Sequence, residues 1–336
     1  MAAQLDTHIA LAHGNGGRFM RELIEELFAR HLANPLLDTD ADAATVPLEH
    51  DGEVVVTTDG FTVQPLEFPG GTIGSLAVHG TVNDLAVSGA IPRYLTLNSF
   101  IEEGLEVSLL ERVVASMAGA AREAGVQIVA GDTKVLRRGE GGGIYFATTG
   151  LGLRRPGVQL GLRRIQAGDA VLISGPVGDH GTAVMLAREQ FGLRGDLQSD
   201  AASVLPACQA LLKVPEVRFM RDPTRGGLAT VANEIARATG LTVRLQEPAV
   251  PVRDPVRSVC DMLGYDPLYL ACEGRVVTVV AGAQADAALR ELQAVCPDAA
   301  VIGRVEQGHS RVVLETELGG ERFLEELEDD PLPRIC

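Results

Sequence analysis

The sequence predicts a mixed α/β chain folded as two domains, and three observations carry that expectation. A length of 336 residues, 46% hydrophobic and 22% charged, is enough to bury two sizeable cores. β-Branched runs of strand length alternate with segments whose apolar residues recur at helical spacing. The alternation breaks at Pro156 and Gly157 and restarts with Ala170-Val171-Leu172-Ile173-Ser174. The expected divisions are residues 1–45, a glycine-rich loop and helix; 46–155, an N-terminal α/β domain; 165–320, a second α/β domain; and 321–336, a mobile tail ending in cysteine.

Charge narrows the partners. Lys and Arg number 29 against 45 Asp and Glu, and a net charge of -16 repels nucleic acid and anionic lipid in the absence of a basic patch. The beginning of the sequence lacks a basic stretch followed by an apolar core, and no window approaches 18 uninterrupted apolar residues. A cytoplasmic, soluble protein without nucleic-acid or membrane partners is expected. The five cysteines (Cys208, Cys260, Cys272, Cys296 and Cys336) are an odd number and include no C-x-x-C pair, so at least one thiol is predicted to stay reduced.

Taken in order, His13-Gly14-Asn15-Gly16-Gly17 is a glycine-rich turn before a helix with the apolar stripe Phe19, Leu23, Ile24, Leu27 and Phe28. Backbone amides at such a turn can cradle phosphate, although plain loops share the composition. Glu53 to Thr57 reads as a strand ending at Thr58-Asp59-Gly60, a placement that suits a metal-facing carboxylate and equally a turn. Asn83-Asp84 lies among Val, Leu and Ala, where an unpaired carboxylate is costly, so Asp84 is expected to face a cation or a cleft or to serve as a cap. Tyr94 to Ile101 is a second strand. Ser108 with Glu111 predicts a capping box and Gly125 the end of the helix that follows.

Val126 to Ala130 then runs into Gly131-Asp132-Thr133-Lys134, a third carboxylate at an expected strand end, now beside a lysine able to neutralise a transferring phosphoryl group. Ile144 to Leu153 completes the first half. In the second, a helix is expected from about Thr182, and Asp222-Pro223-Thr224-Arg225-Gly226-Gly227 opens a helix over Leu228 to Ala238. Leu241 to Leu245 and Val276 to Val280 read as strands, with helices near 254–263 and 284–295. Glu273-Gly274 sits before the last of these strands. Neither a Walker A loop nor a Rossmann G-x-G-x-x-G occurs. The pattern instead suits an ATP site built on carboxylates and Mg²⁺, with Asp59, Asp84, Asp132 and Asp222 as oxygen ligands at the mouths of strands or helices. The end, Pro331-Leu332-Pro333-Arg334-Ile335-Cys336, reads as an extended arm behind an acidic stretch, with a thiol at its tip.

Together, His13 to Gly17, Thr58-Asp59, Asn83 to Ala90, Gly131 to Lys134, Asp222 to Gly227, Glu273-Gly274 and the P-R-I-C ending resemble the HypE family of hydrogenase maturation proteins. The central motifs are shared with a wider superfamily that includes aminoimidazole ribonucleotide synthetase, selenophosphate synthetase and thiamine-monophosphate kinase. The resemblance implies a two-domain PurM-like fold, with N-terminal strands of two subunits forming a barrel in a homodimer.

It also implies a reaction. A carbamoyltransferase, HypF, loads a carbamoyl group onto the Cys336 thiol. ATP phosphorylates the carboxamide oxygen, phosphate leaves, and the resulting thiocyanate passes cyanide to a HypC–HypD scaffold complex for a [NiFe] hydrogenase. The site residues carried over are Cys336, Lys134 and Glu273 for catalysis and Asp59, Asp84, Asp132 and Asp222 for Mg²⁺. ATP binding adds Gly14, Gly16, Gly17, Asn83, Gly131, Thr133, Thr224, Arg225 and Gly226. Two other classes compete: a superfamily kinase or selenophosphate synthetase acting on a free small molecule, which would make the tail irrelevant and, for the synthetase, needs a reactive Cys or Sec near the N-terminus where the first cysteine here is Cys208; and a non-catalytic thiol carrier, which leaves the carboxylates and Lys134 without a task.

Overall fold

The protein's computed structural model describes residues 7–14, 17–39, 41, 43–48, 52–188, 196–327 and 335–336. The expectations for Asn15, Gly16 and Pro331 to Arg334 lie outside the described residues. Two compact units are present, residues 1–85 with 90–154 and Cys336, and residues 86–89 with 155–335.

In the first unit a helix is α-helical over α1 (Arg18–Leu23), π-helical over Ile24–Ala29 and α-helical again over α2 (Arg30–Leu32). There follow β1 (Glu53–Phe61), the small hairpin β2 (Glu67–Phe68) and β3 (Gly71–Thr72), α3 (Ile73–Val87), β4 (Ala90–Glu102), α4 (Val107–Ala124), β5 (Gln127–Leu136) and β6 (Ile144–Arg154). Four strands form one sheet in the order β1-β6-β4-β5, parallel only between β4 and β5. α4 buries Leu110, Val113, Val114, Met117 and Ala121, an apolar face at helical period. Gly125 ends it in the left-handed conformation at φ 69°.

The capping box does not form. Ser108 lies inside the first turn of α4, behind an N-cap at Glu106, and the Glu111 carboxylate pairs with Arg30. An ionised guanidinium is a stronger partner for Glu111 than the helix's own first amides. The strand ends also differ from expectation: Asp59 lies within β1 opposite Thr148, and Asp132 lies in the middle of β5 opposite Asn98. Gly60 and Gly131 do not stop these strands because each is paired across the sheet, Gly60 with Ala147 and Gly131 with Leu97. Asp84 is in the last turn of α3, a helix end, which the expectation of a strand or helix mouth allows.

The second unit contains β7 (Ala170–Ile173), α5 (Asp179–Arg188), α6 (Leu205–Leu211), β8 (Val217–Arg221), α7 (Gly227–Thr239), β9 (Thr242–Gln246), α8 (Asp254–Leu263), β10 (Val277–Val280), α9 (Ala285–Gln293), β11 (Ala300–Glu306), β12 (Arg311–Glu315) and β13 (Glu321–Phe323). Its seven-stranded sheet runs β13-β12-β9-β11-β7-β10-β8. One core joins Ile173, Leu228, Ile235, Val243, Val277 and Ile302; another joins Leu172, Cys208, Leu211, Met220, Val280 and Leu292. Every residue of β7 and β10 is buried, as expected of central strands covered on both faces.

Gly131 shows how tightly β4 and β5 approach, since a Cβ there would lie 2.5 Å from the Leu97 carbonyl oxygen. Gly131→Ala should therefore cost on the order of 1–3 kcal/mol through overpacking. A denaturant midpoint equal to wild type would show that the two strands separate without penalty.

Candidate active site

The first unit pairs two of the predicted carboxylates along the seam between β1 and α3. Asp84 accepts a hydrogen bond from the Thr57 hydroxyl at 2.7 Å, and the Asp59 carboxylate lies 3.7 Å from where a Cβ on Gly80 would stand, one turn before Asp84. Asn83 is buried beside them on α3. Asp132 is elsewhere. It sits on β5, the other edge of the sheet, three strand spacings or roughly 14 Å from β1. Its Oδ2 pairs with Lys134 Nζ at 2.8 Å and its Oδ1 accepts the Thr133 amide. The Lys134 hydrogen bond holds Asp132 below the usual carboxylate range. Among the described residues no three His, Cys, Asp or Glu side chains are gathered closely enough to hold a metal ion. The chemistry of the donors fits Mg²⁺ nonetheless, because Asp59 and Asp132 are exposed hard oxygen ligands.

The glycine turn reaches this unit through close backbone contact. A Cβ on Gly14 would meet the Val135 amide nitrogen of β5 at 2.6 Å, so Gly14 lets the turn lie against the strand that carries Asp132 and Lys134. Gly17 caps the N-terminus of α1. Between this helix and the sheet is a cavity of about 150 Å³ lined by Phe28, Leu32, Leu97, Ala130, Asp132 and Thr133, apolar along one wall and polar at the strand.

The second unit holds Asp222, Thr224, Arg225, Gly226 and Glu273. Asp222 is buried and directly follows β8. The turn through Thr224 and Arg225 closes with Gly226 and Gly227 both at positive φ, and Pro223 O accepts the Cys272 amide at 3.0 Å. That bond ties the Asp222 turn to the segment bearing Glu273, which is 2% exposed. Asp200 anchors the same segment: its carboxylate accepts the amides of Glu273 and Gly274 at 3.2 and 3.3 Å and lies 3.5 Å from Arg275. Arg275 and Arg253 also pair with Asp179, at 3.3 and 3.2 Å. Burial, and then repulsion from Asp200, pushes the Asp179 carboxyl up to about 6. His180, fully buried, contacts Ser199 Oγ through Nδ1 at 2.7 Å and the Ile335 carbonyl through Nε2 at 2.8 Å.

Cys336 is 9% exposed and belongs to the first unit. Its carbonyl oxygen accepts both the amide and the hydroxyl of Thr62 at 3.3 Å, three residues beyond Asp59. The other four cysteines form no disulfides, and burial raises the pKa of every one of them, most strongly at Cys208 and Cys272.

The chain is similar to known proteins over nearly its whole length. Residues 40–154 match the family described as AIR synthase related protein, N-terminal domain, and residues 166–315 match its C-terminal domain. Carbamoyl dehydratase HypE of Azotobacter vinelandii is 47% identical over 98% of this chain and 97% of its own length. The chain belongs to the HypE family of carbamoyl dehydratases. A crystal structure of the hydrogenase maturation protein HypE in complex with ATP superposes at a TM-score of 0.92, with 47% identity over 97% of this chain and 99% of that one. The HypE chain of a HypE–HypF complex matches at 0.80, with 42% identity over 91% of this chain and 99% of that one. The PurM-like two-domain fold follows from these matches. Among the described residues no helix is long and apolar enough to cross a membrane.

Sequence reasoning passes over Asp179, His180, Ser199, Asp200 and Arg275, of which Asp200 holds the Glu273 amide and Arg275 joins Asp200 to Asp179 in this HypE-family chain. A signal for the first two is present: Ser174-Gly175-Pro176-Val177-Gly178-Asp179-His180-Gly181 places an Asp–His pair in a glycine-rich turn straight after an apolar strand. Ser199 and Asp200 carry no comparable local cue.

Asp179 gives a pH test. Its folded value of about 6 stands above the ordinary 3.8, so the folded state binds more protons between them. The stability contributed by protonated Asp179 is present below about pH 4 and lost as the pH rises through about 6. Asp179→Asn should therefore gain in thermal midpoint relative to wild type between those values. A difference independent of pH would show that Asp179 is ionised throughout.

Proposed function

We propose that this chain dehydrates a carbamoyl group carried on Cys336 to a thiocyanate, consuming ATP, and so supplies cyanide for the iron centre of a [NiFe] hydrogenase. The burial of Cys336, with its carbonyl held by Thr62 just beyond the Asp59-bearing strand, carries this reading. A thiol drawn into the unit that bears Asp59, Asp84, Asp132 and Lys134 is poised for chemistry on itself.

The chemistry balances in two steps. The carboxamide oxygen attacks the γ-phosphorus of ATP, ADP leaves and one N–H proton is lost. The C–O bond then breaks, phosphate departs with its electron pair, and loss of the second N–H proton closes the C≡N bond. Phosphorylation is needed because an amide oxygen is a poor leaving group and phosphate a good one. Lys134 is assigned to the developing phosphoryl charge and Glu273 to the N–H proton. Asp59, Asp84, Asp132 and Asp222 would hold Mg²⁺, which offsets the charge of the triphosphate against an acidic chain. Gly14, Gly16, Gly17, Asn83, Gly131, Thr133, Thr224, Arg225 and Gly226 complete the proposed nucleotide contacts, and the cavity beside Phe28 and Leu32 suits a flat base. HypF as the loading partner is supported by the HypE–HypF relative. HypC–HypD as the acceptor and a cytoplasmic setting complete the proposal.

Intact-mass analysis tests it. After incubation with HypF, carbamoyl phosphate and MgATP, the chain should gain about 43 Da and then, as dehydration proceeds, show an adduct of about 25 Da, both absent from Cys336→Ala. A stable carbamoyl adduct that ATP never converts would mean a carrier and not a dehydratase.

A homodimer belongs to the same reading, supported by β1, an edge strand with Val54 and Val56 40% and 60% exposed. Val56→Glu should shift the molecular mass in light scattering from dimer towards monomer. An unchanged dimer would place the interface elsewhere.

A further inference from the structure

His180 is a buried titratable side chain to which the reaction above gives no task. Its two ring nitrogens face different partners, Ser199 Oγ at 2.7 Å from Nδ1 and the Ile335 carbonyl oxygen at 2.8 Å from Nε2. A carbonyl oxygen only accepts, so Nε2 carries the proton. Burial lowers the His180 pKa and favours the neutral ring, which leaves Nδ1 as an acceptor for the Ser199 hydroxyl. Ser199 Oγ in turn accepts the Ala201 amide at 3.0 Å, which directs its proton towards the ring. A directional chain results, from the Ala201 amide through Ser199 and His180 to the backbone immediately before the thiol-bearing residue. The loop also continues into Asp200, whose carboxylate holds the amides of Glu273 and Gly274.

We propose that His180, held in its Nε2–H tautomer by Ser199, is the positioning residue that docks the tail, gripping the Ile335 carbonyl while Asp200 on the same loop sets Glu273. A backbone carbonyl is a suitable handle because it does not change when the thiol is loaded, so the grip is compatible with thiol, carbamoyl and cyano forms alike. The bond is made and broken without chemistry at the sulfur. The catalytic consequence rests on the dehydratase reading, whereas the docking itself does not.

The test uses the full-length chain as wild type, His180→Ala, His180→Gln and Ser199→Ala. Iodoacetamide labelling without partner or nucleotide, followed at the C-terminal peptide by mass spectrometry, should show Cys336 reacting at least about fivefold faster in His180→Ala. His180→Gln, whose side-chain amide can donate from near the Nε2 position, should restore much of the protection, and Ser199→Ala should fall between. Half-buried Cys296 is the internal reference and should not change. With carbamoylated protein and MgATP, cyano-adduct formation should drop about tenfold or more in His180→Ala and recover in His180→Gln, with loading by HypF preserved. Cys336 labelling equal to wild type in both His180→Ala and Ser199→Ala would overturn the proposal, as would a parallel rise at Cys296, which signals general loosening. If His180→Ala does not fold, the ordering of wild type, His180→Gln and Ser199→Ala decides. A wild type that never forms the cyano adduct would sink the dehydratase reading, and the labelling comparison would still judge the grip.

Discussion

Arg275 lies between Asp179 and Asp200, both withdrawn from water, and the loops of the second unit are arranged around that charge. Burying two carboxylates costs several kcal/mol each, so such a cluster persists only where attraction and further hydrogen bonds offset the penalty. Asp200 meets the condition through the amides of Glu273 and Gly274. Arg275 adds a bond from Nε to the Pro176 carbonyl at 2.8 Å. Three loops distant in sequence, at Pro176–Asp179, Ser199–Asp200 and Glu273–Arg275, are thereby fixed to one another. Glu273 inherits its position from this arrangement.

The first unit works under a different constraint. A four-stranded sheet with β1 and β5 at its edges keeps Asp59 and Asp132 apart even though they stand at nearly the same level, Asp59 in the row of Thr148, Leu97 and Gly131. The ion pair between Lys134 and Asp132 is half-exposed and contributes little to stability.

Much of this was legible in the sequence where a signal is local. The apolar periods of α4 and α7 and the β-branched runs of β1 and β10 mark their own elements, and Gly125 stops α4 because only glycine adopts φ 69° without strain. Strand ends were not legible, since Gly60 and Gly131 read as breakers alone and become ordinary members of strands once partners hydrogen-bond to them. The Ser108–Glu111 box failed for the same kind of reason, a distant Arg30 outcompeting a local amide. β8 and β13 escaped notice because edge strands of five and three residues carry too few positions for alternation to show, and interior β11 because Gly303 interrupts its apolar run; β12 also escaped notice.

By itself the sequence marked candidate side chains for chemistry: Asp59, Asp84, Asp132, Asp222, Lys134, Glu273 and Cys336 stand out by residue type and by their immediate neighbours, which are properties of a few adjacent positions. Only the tertiary structure decided how they are grouped, setting Asp59 beside Asp84, Asp132 on the opposite edge, and Glu273 under the control of Asp200. It also disclosed His180 on the Ile335 carbonyl. The physical reason is range, because the Thr57–Asp84, Asp200–Glu273 and His180–Ile335 bonds span 27, 73 and 155 residues. No local periodicity or propensity encodes a bond across such distances; it exists only after the sheets have formed and brought the loops together.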